Sequence, residues 1–201
     1  MKWDLQKVVD RYNSAYPTRP HLLYSNEWIV GSFCIGNDYR NRREYYGAYP
    51  GDLLQRYDAM FGLPDKHINV LHIFSGAIPE GPYTRVDLLQ PAEYNIDCEE
   101  LHKHIKYNSF DIIFADPPYT KDDADKYGTD MPNRLAVMRS ASKIARPGAL
   151  MVWLDLFKPM YRKTEWKQVG TIGLERSTNH RIRGIWLFER QERSKDSEDY
   201  F

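Results

Sequence analysis

The residues best placed for chemistry in this chain are Asp116, Pro117, Pro118 and Tyr119. They follow the largely apolar run 109–115, which is short enough for a buried strand, and the prolines end that strand because they cannot donate to its ladder. Asp116 and Tyr119 are therefore expected at the carboxyl end of a central strand, where open α/β sheets bind ligands. A plain strand-ending turn is the alternative interpretation of the same four residues.

Asp-Pro-Pro-Tyr after such a strand resembles the catalytic motif of S-adenosylmethionine-dependent methyltransferases that act on exocyclic amines of nucleobases. The resemblance implies that Asp116 and the Pro117 carbonyl accept hydrogen bonds from the amine, which favours the pyramidal nitrogen that attacks the methyl group. Tyr119 would stack on the base, and a base in a duplex would first be flipped out. The catalytic residues predicted in this way are Asp116, Pro117, Pro118 and Tyr119.

The same resemblance favours DNA as the substrate and adenine N6 as the target, because Asp is the first residue of the motif. Cytosine N4 and a guanine amine in ribosomal RNA are the alternatives among enzymes. An S-adenosylmethionine-binding protein without transferase activity is the alternative from another class.

A loop of small residues precedes the helix predicted over 53–61. It resembles the segment that holds the methionine end of the cofactor in amino-methyltransferases. Small residues let backbone amides approach closely, and a helix N-terminus attracts a carboxylate. A plain loop before a helix is the alternative. The cofactor-binding residues predicted here are Tyr46, Gly47, Ala48, Tyr49 and Pro50.

The run 68–74 is the first predicted core strand, in which His72 is expected to be packed in the core. Phe74-Ser75-Gly76 at its end resembles a reduced form of the family's cofactor motif. By the same resemblance, Asp87 is expected to bind the ribose. Asp97, with Cys98 beside it, is expected near the adenine amine, and the two acids could be exchanged. Solvated loop carboxylates are the alternative for both.

The crossovers after the first core strand are short, because prolines and glycine interrupt 79–82 where a helix would stand. Two strand-like runs, 83–88 and 92–97, follow instead. The predicted fold class is α/β: a Rossmann-like class I methyltransferase sheet with shortened crossovers and an antiparallel closing hairpin over 169–175 and 185–189. One sheet face then lacks its usual cover. Either residues 1–45 pack there, or a second copy of the chain does in a homodimer.

Further elements follow from spacing and composition. Helices are predicted over 1–16, 99–107 and 133–145, and strands over 28–33 and 149–154. The polar stretch 120–129 is interpreted as a mobile substrate loop or as solvated surface. Length favours a single domain with an appendage: an N-terminal extension over 1–45, a catalytic domain over 46–190, and a disordered tail over 191–201.

A formal net charge of +0 means that nucleic-acid binding would need a local patch. Three groups of basic residues qualify, one among tyrosines, one in the aromatic-rich segment 157–167 and one in the closing turn. A solvated loop is the alternative for the first group, and a helix with a solvated basic face is the alternative for the second. The nucleic-acid-binding residues predicted are Arg40, Arg42, Arg43, Lys158, Arg162, Lys163, His180 and Arg181.

The composition also gives predictions about the cellular compartment and about metal binding. The only cysteines are Cys34 and Cys98, which argues against a disulfide framework and fits a reducing cytoplasm. No stretch has the apolar length of a signal core or a membrane span. The histidines show no zinc-ligand spacing with the cysteines, so no metal is predicted.

Overall fold

A computed structural model describes residues 2–36, 49, 52–176 and 182–192. Its centre is one eight-stranded sheet, with the strands in the order β1-β2-β7-β8-β6-β5-β3-β4. The strands are β1 Leu23–Ser25, β2 Trp28–Ile35, β3 Val70–Ile73, β4 Thr84–Val86, β5 Phe110–Ala115, β6 Ala145–Asp155, β7 Trp166–Arg176 and β8 Ile182–Arg190. The helices are α1 Leu5–Ala15, α2 Leu53–Phe61, α3 Leu101–His104, α4 Lys121–Tyr127 and α5 Arg134–Ile144, and a 3₁₀ turn, Cys98–Glu100, leads into α3.

The strands β4, β3, β5 and β6 form a parallel block. β8 runs antiparallel between β6 and β7 and closes the sheet. β3 and β5 are buried along their whole length, as expected for central strands of a sheet covered on both faces. The predicted α/β fold class is therefore confirmed: a Rossmann-like, mostly parallel sheet with shortened crossovers and an antiparallel closing hairpin. β3 to β6 all end at one edge, here called the carboxyl edge.

The second strand predicted over 92–97 does not form. Residues 92–97 contribute only an isolated bridge between Val86 and Tyr94. The reason is the Glu93 carboxylate, which accepts hydrogen bonds from the Arg85 backbone nitrogen at 2.7 Å and from Arg85 Nη2 at 2.6 Å. This contact folds the segment back on β4 as a short loop.

The two sheet faces have separate apolar cores. Helices α1 and α2 cover one face, and the 3₁₀ turn, α3 and α5 cover the other. The N-terminal helix is fastened by Trp3, whose indole nitrogen donates to the Asp111 carbonyl at 2.9 Å and whose ring meets Phe61 edge-on at 5.5 Å. The N-terminal segment thus covers the face that the short crossovers leave open, and a homodimer stays a prediction.

Two segments differ from their sequence-based interpretation. The stretch 120–129, predicted as a loop, contains α4, because the Thr120 hydroxyl caps its first turn and Gly128 ends it at φ 71°. The segment 156–165, for which a helix with a solvated basic face is the alternative interpretation, contains no helix and connects β6 to β7 through a bend at 156–157 and a turn at 163–165. None of the helices in the described ranges is both long and apolar enough to cross a membrane.

Arg56 is a charged residue in the centre of the first core, with 0% of its surface exposed. Its guanidinium donates to the Tyr12 hydroxyl at 2.7 Å, the Cys34 carbonyl at 3.0 Å and Asp52 Oδ2 at 3.1 Å. These bonds join α1, β2 and α2.

Replacing Arg56 with alanine is expected to lower the free energy of unfolding by ~3–5 kcal/mol, because three buried or partly buried acceptors lose the charged donor that Arg56 supplies. Urea unfolding measures the change. Lys7→Ala, which removes an exposed ion pair with Asp4, is the control and should change stability by less than ~1 kcal/mol. An Arg56 variant as stable as that control would contradict the prediction.

Candidate active site

The carboxyl edge brings together polar groups from four neighbouring strands. Asp116 follows β5 and Asp155 ends β6. The turn 74–76 follows β3, and Asp87 follows β4. β8 begins at the same edge, because Gly184 pairs with Asp155. This is the part of an α/β sheet at which ligands bind.

Asp116 is partly buried, and its pKa is raised from 3.8 to about 7. Burial is the main cause, since a carboxylate is poorly solvated there. The hydrogen bond from Tyr119 and the charge of Arg183 lower the pKa, and the charge of Asp155 raises it. The Tyr119 hydroxyl donates to Asp116 Oδ1, and burial raises the pKa of Tyr119 well above its usual value. Tyr119 therefore stays protonated as a donor.

Arg183 completes a chain of contacts that ends at Asp116. Its Nη1 donates to the Tyr119 hydroxyl at 3.1 Å. Its guanidinium carbon lies 4.6 Å from the centre of the Tyr119 ring, within cation–π range. One face of the ring therefore already has a neighbour, and a base stacked on Tyr119 would use the other face or displace Arg183.

Arg134 in α5 fastens the loop that carries Pro118 and Tyr119. Its Nε donates to Asp155 Oδ2 at 2.6 Å, and its Nη2 lies 3.3 Å from the Pro118 carbonyl and 3.4 Å from the Tyr119 carbonyl. Asp155 is fully buried and also accepts from the Trp153 indole nitrogen at 3.2 Å and the Leu156 backbone nitrogen at 2.7 Å. The pair thus holds the motif against the end of β6.

Two buried tyrosine hydroxyls lie on the α2 side of Asp116. Among the described side chains, Tyr49 and Tyr57 each bury a hydroxyl that has no hydrogen-bond partner. The Tyr57 ring stacks on Phe114 at 4.8 Å, two residues before Asp116. Burial, and then the charge of Asp116, raises the pKa of both tyrosines. Unpaired buried donors are costly, so they indicate a place where a ligand supplies the acceptor.

The turn after β3 has an unusual backbone. Phe74 adopts φ 56° and Gly76 φ 55°, and the left-handed conformation is unfavourable for a bulky residue such as phenylalanine. The Ser75 hydroxyl is buried without a hydrogen-bond partner among the described residues. Cys98 lies behind the turn within hydrogen-bond range of the Phe74 backbone, and burial raises the pKa of its thiol. Strain at a strand end and an unpaired hydroxyl are typical of a binding turn.

The two predicted ribose and adenine acids have different surroundings. Asp87 Oδ2 accepts from the Gly76 backbone nitrogen at 2.8 Å, and its Oδ1 accepts from the backbone nitrogens of Leu89 and Gln90 at 3.0 and 2.8 Å. Asp87 therefore shapes the glycine turn. Asp97 is exposed and accepts from the Glu99 nitrogen at 2.8 Å, which starts the 3₁₀ turn. Their part in cofactor binding stays a prediction.

The three described residues of the predicted nucleic-acid patches, Lys158, Arg162 and Lys163, do not gather at the carboxyl edge. The segment 156–165 leads to the start of β7 at the opposite edge, where the Arg162 carbonyl accepts from the Trp166 nitrogen at 2.9 Å. Lys158, Arg162 and Lys163 are exposed along it, and nucleic-acid contact by them stays a prediction. The predicted site residues outside the described residues are Arg40, Arg42, Arg43, Tyr46, Gly47, Ala48, Pro50, His180 and Arg181.

The sequence-based prediction missed Arg134, Asp155, Arg183 and Tyr57. Asp155 could have been found, because it ends the next strand of the parallel block and the rule that selected Asp116 applies to it equally. Arg183 belongs to the donor-rich closing turn that the sequence places at this sheet end, but its contact with Tyr119 follows only from the pairing of β8 with β6. Tyr57 carried no local signal, since only the docking of α2 brings it to Asp116. Within the described ranges, no cluster of three His, Cys, Asp or Glu side chains could hold a metal ion.

Comparisons with known proteins give a likeness in structure alone. No family model matches the chain, and no curated protein matches it in sequence. The putative methyltransferase yhhF from Escherichia coli superimposes with a TM-score of 0.46 at 12% identity, over 73% of this chain and 90% of that one. The crystal structure of TrmN from Thermus thermophilus superimposes with a TM-score of 0.43 at 16% identity, over 61% of this chain. The chain spans only 44% of that TrmN structure.

Proposed function

We propose that this protein transfers a methyl group from S-adenosylmethionine to the exocyclic amine of a nucleobase. The favoured target is adenine N6 in DNA. The observation that carries the proposal is Asp116, a partly buried carboxylate at the carboxyl edge with a pKa of about 7 and an ordered tyrosine beside it. The motif resemblance supplies the substrate class. The described surroundings of Asp116 fit it.

The residues fit an S-adenosylmethionine site at the turn 74–76 and beside the two buried tyrosine hydroxyls. The strained turn 74–76 and the unpaired Ser75 hydroxyl offer close backbone approach and a donor. Tyr49 belongs to the segment predicted to hold the methionine end, and its hydroxyl is buried and unpaired. When bound, the cofactor supplies an electrophilic methyl group on a sulfonium.

Asp116 acts on the amine in two ways. As a carboxylate, it accepts a hydrogen bond from one N–H, and the Pro117 carbonyl accepts the other, which directs the nitrogen lone pair toward the methyl carbon. A bound cofactor would supply the methyl carbon that this lone pair attacks, and its sulfur would keep the electron pair of the broken carbon–sulfur bond. The methylated nitrogen then carries one proton too many, and a carboxylate with a pKa near 7 can take it. Arg134 keeps the loop of Pro118 and Tyr119 in place during these steps.

The test is transfer of a labelled methyl group to defined acceptors. Single- and double-stranded DNA with adenine, DNA with cytosine as its sole amine-bearing base and ribosomal RNA are offered to the wild-type protein, to Asp116→Ala and to the control Asp122→Ala, an exposed position on α4. We expect label in adenine-containing DNA, its loss in Asp116→Ala and its retention in the control. Label in cytosine-containing DNA or RNA would move the target to the corresponding alternative. Cofactor binding without transfer to any acceptor would contradict the proposal and favour a binding protein.

A further inference from the structure

Arg183 is placed to act on Asp116 through another residue. It stands near the start of β8, beside Gly184, which pairs with Asp155 at the carboxyl edge. Its guanidinium contacts Tyr119 twice, through the 3.1 Å hydrogen bond to the hydroxyl and through the 4.6 Å contact with the ring. The Tyr119 hydroxyl then donates to Asp116. The result is a directed chain in which each group has a fixed donor or acceptor role.

The protonation states of Arg183, Tyr119 and Asp116 determine which group donates and which accepts in each of these hydrogen bonds. A guanidinium is always a donor, so the Tyr119 oxygen accepts from Arg183 and its hydrogen is left for Asp116. The Asp116 oxygen bonded to Tyr119 must then be an acceptor. Such charge-assisted bonds favour the ionised carboxylate over the protonated acid.

We infer that Arg183 is a positioning residue for methyl transfer: it fixes the Tyr119 ring and hydroxyl and thereby keeps Asp116 charged and ready to accept the amine. The inference rests on the proposed function for its catalytic meaning. The chain of contacts itself exists independently of the reaction. Arg183 was missed in the sequence because it lies 64 positions from Tyr119 and meets it only through the antiparallel pairing of β8.

The groups around Asp116 have opposite effects on its ionisation. Arg183 and the Tyr119 hydrogen bond favour its ionised form, while burial and Asp155 favour the protonated form. Arg134 pairs with Asp155 and moderates its charge. Among the described residues, Arg183 is the cation whose charge influences Asp116. Removal of its charge should shift ionisation of Asp116 to higher pH. Tyr49 and Tyr57 are the other described titratable groups that interact with Asp116.

The experiment compares Arg183→Met with Arg183→Lys in two readouts. The first is the pH dependence of kcat, whose acid limb reports ionisation of Asp116. The second is urea unfolding from pH 5 to 9, with and without Asp116→Asn, which reports the same ionisation without any catalysis. Lys66→Met, an exposed cation in the 65–67 loop, controls for loss of one positive charge.

In Arg183→Met we expect the acid limb and the midpoint of the Asp116-dependent stability change to move together to higher pH. Each unit of that shift would reduce the ionised fraction tenfold at pH values well below the midpoint. Arg183→Lys should keep the midpoint close to that of the wild type and lower kcat, because lysine keeps the charge and loses the planar contact. Lys66→Met should change neither.

An unchanged midpoint in Arg183→Met would overturn the inference, as would equal midpoints in the methionine and lysine variants. Arg183→Gln, which is planar and uncharged, replaces the methionine variant if that protein does not fold. Absence of methyl transfer in every variant would count against the proposed function alone, because the unfolding measurements still report whether Arg183 controls Asp116.

Discussion

Replacing Asp116 with alanine is expected to lower the rate of methyl transfer by about 10²–10³-fold while cofactor affinity changes little. The size follows from the loss of one preorganised acceptor for charge that develops in the transition state. In the wild-type protein, kcat should fall as the pH drops through about 7, since the protonated acid no longer accepts from the amine. Single-turnover rates measured from pH 5 to 9 with labelled cofactor test both statements.

Ionisation of Asp116 has opposite effects on activity and on stability. Raising the pH is expected to increase the rate and to lower the free energy of unfolding. The pKa of Asp116 is about 7 in the folded protein and 3.8 in the unfolded chain, so the folded state binds more protons between these pH values. Stability contributed by this group is therefore full below pH 4 and is lost as the pH rises through 7. Asp116→Asn should stabilise the fold at pH 8, by on the order of a few kcal/mol after allowance for its partial exposure, and should make little difference at pH 4.

Two results would contradict this account of Asp116. One is an acid limb of the rate profile near pH 4, which would mean that the carboxylate is as well solvated as a surface group. The other is an Asp116→Asn protein that is equally stable relative to the wild type at pH 4 and pH 8. Asp122→Asn on the exposed side of α4 is the matched control and should show neither effect.

The second large effect is expected at Asp155. Asp155→Ala should lower the free energy of unfolding by ~3–5 kcal/mol, because it leaves Arg134 without its partner and the Trp153 indole without its acceptor. Activity should fall as well, since Arg134 also holds the Pro118 and Tyr119 carbonyls. Urea unfolding and methyl transfer, measured on the same preparation, give both numbers.

The double variant Arg134→Met with Asp155→Leu separates pairing from burial. Removing one partner of a buried ion pair leaves the other charge unpaired, whereas replacing both partners by apolar groups leaves no unpaired charge. We therefore expect the double variant to be more stable than Asp155→Ala. Its activity should remain low, because no donor then holds the loop of Pro118 and Tyr119. A fully active double variant would show that this loop needs no such support.

The main parts of the fold could be predicted because they depend on local patterns. The apolar runs ending at Phe74 and Ala115 are long enough for central strands and are bounded by turn residues, so β3 and β5 followed directly. The failure at 92–97 had a different cause. A strand-like run was there, but Glu93 binds Arg85 across eight residues, and a side-chain contact of this kind leaves no periodic signal.

The residues of the candidate site likewise fall into two groups, those that local sequence predicts and those that only tertiary contacts bring together. Asp116 and Tyr119 were predictable because a strand end and two prolines fix their place within a few residues. Arg134, Asp155 and Arg183 are brought to them by helix docking and strand pairing over 15 to 64 positions. Side chains that support a motif from such distances belong to the tertiary structure, and a single sequence does not reveal their partners.

β2 pairs in parallel with β7, residue 29 opposite residue 170 and residue 35 opposite residue 176. During synthesis, β2 is made well before its partner strand β7, because the paired residues lie far apart along the chain. The β1–β2 hairpin must therefore wait for nearly the whole sheet before its second edge is covered. Contacts so distant along the chain slow folding, and an unpaired edge of alternating apolar residues can meanwhile pair with another chain. The N-terminal segment that covers one face of the finished sheet is thus exposed to wrong partners for as long as the nascent chain lacks β7.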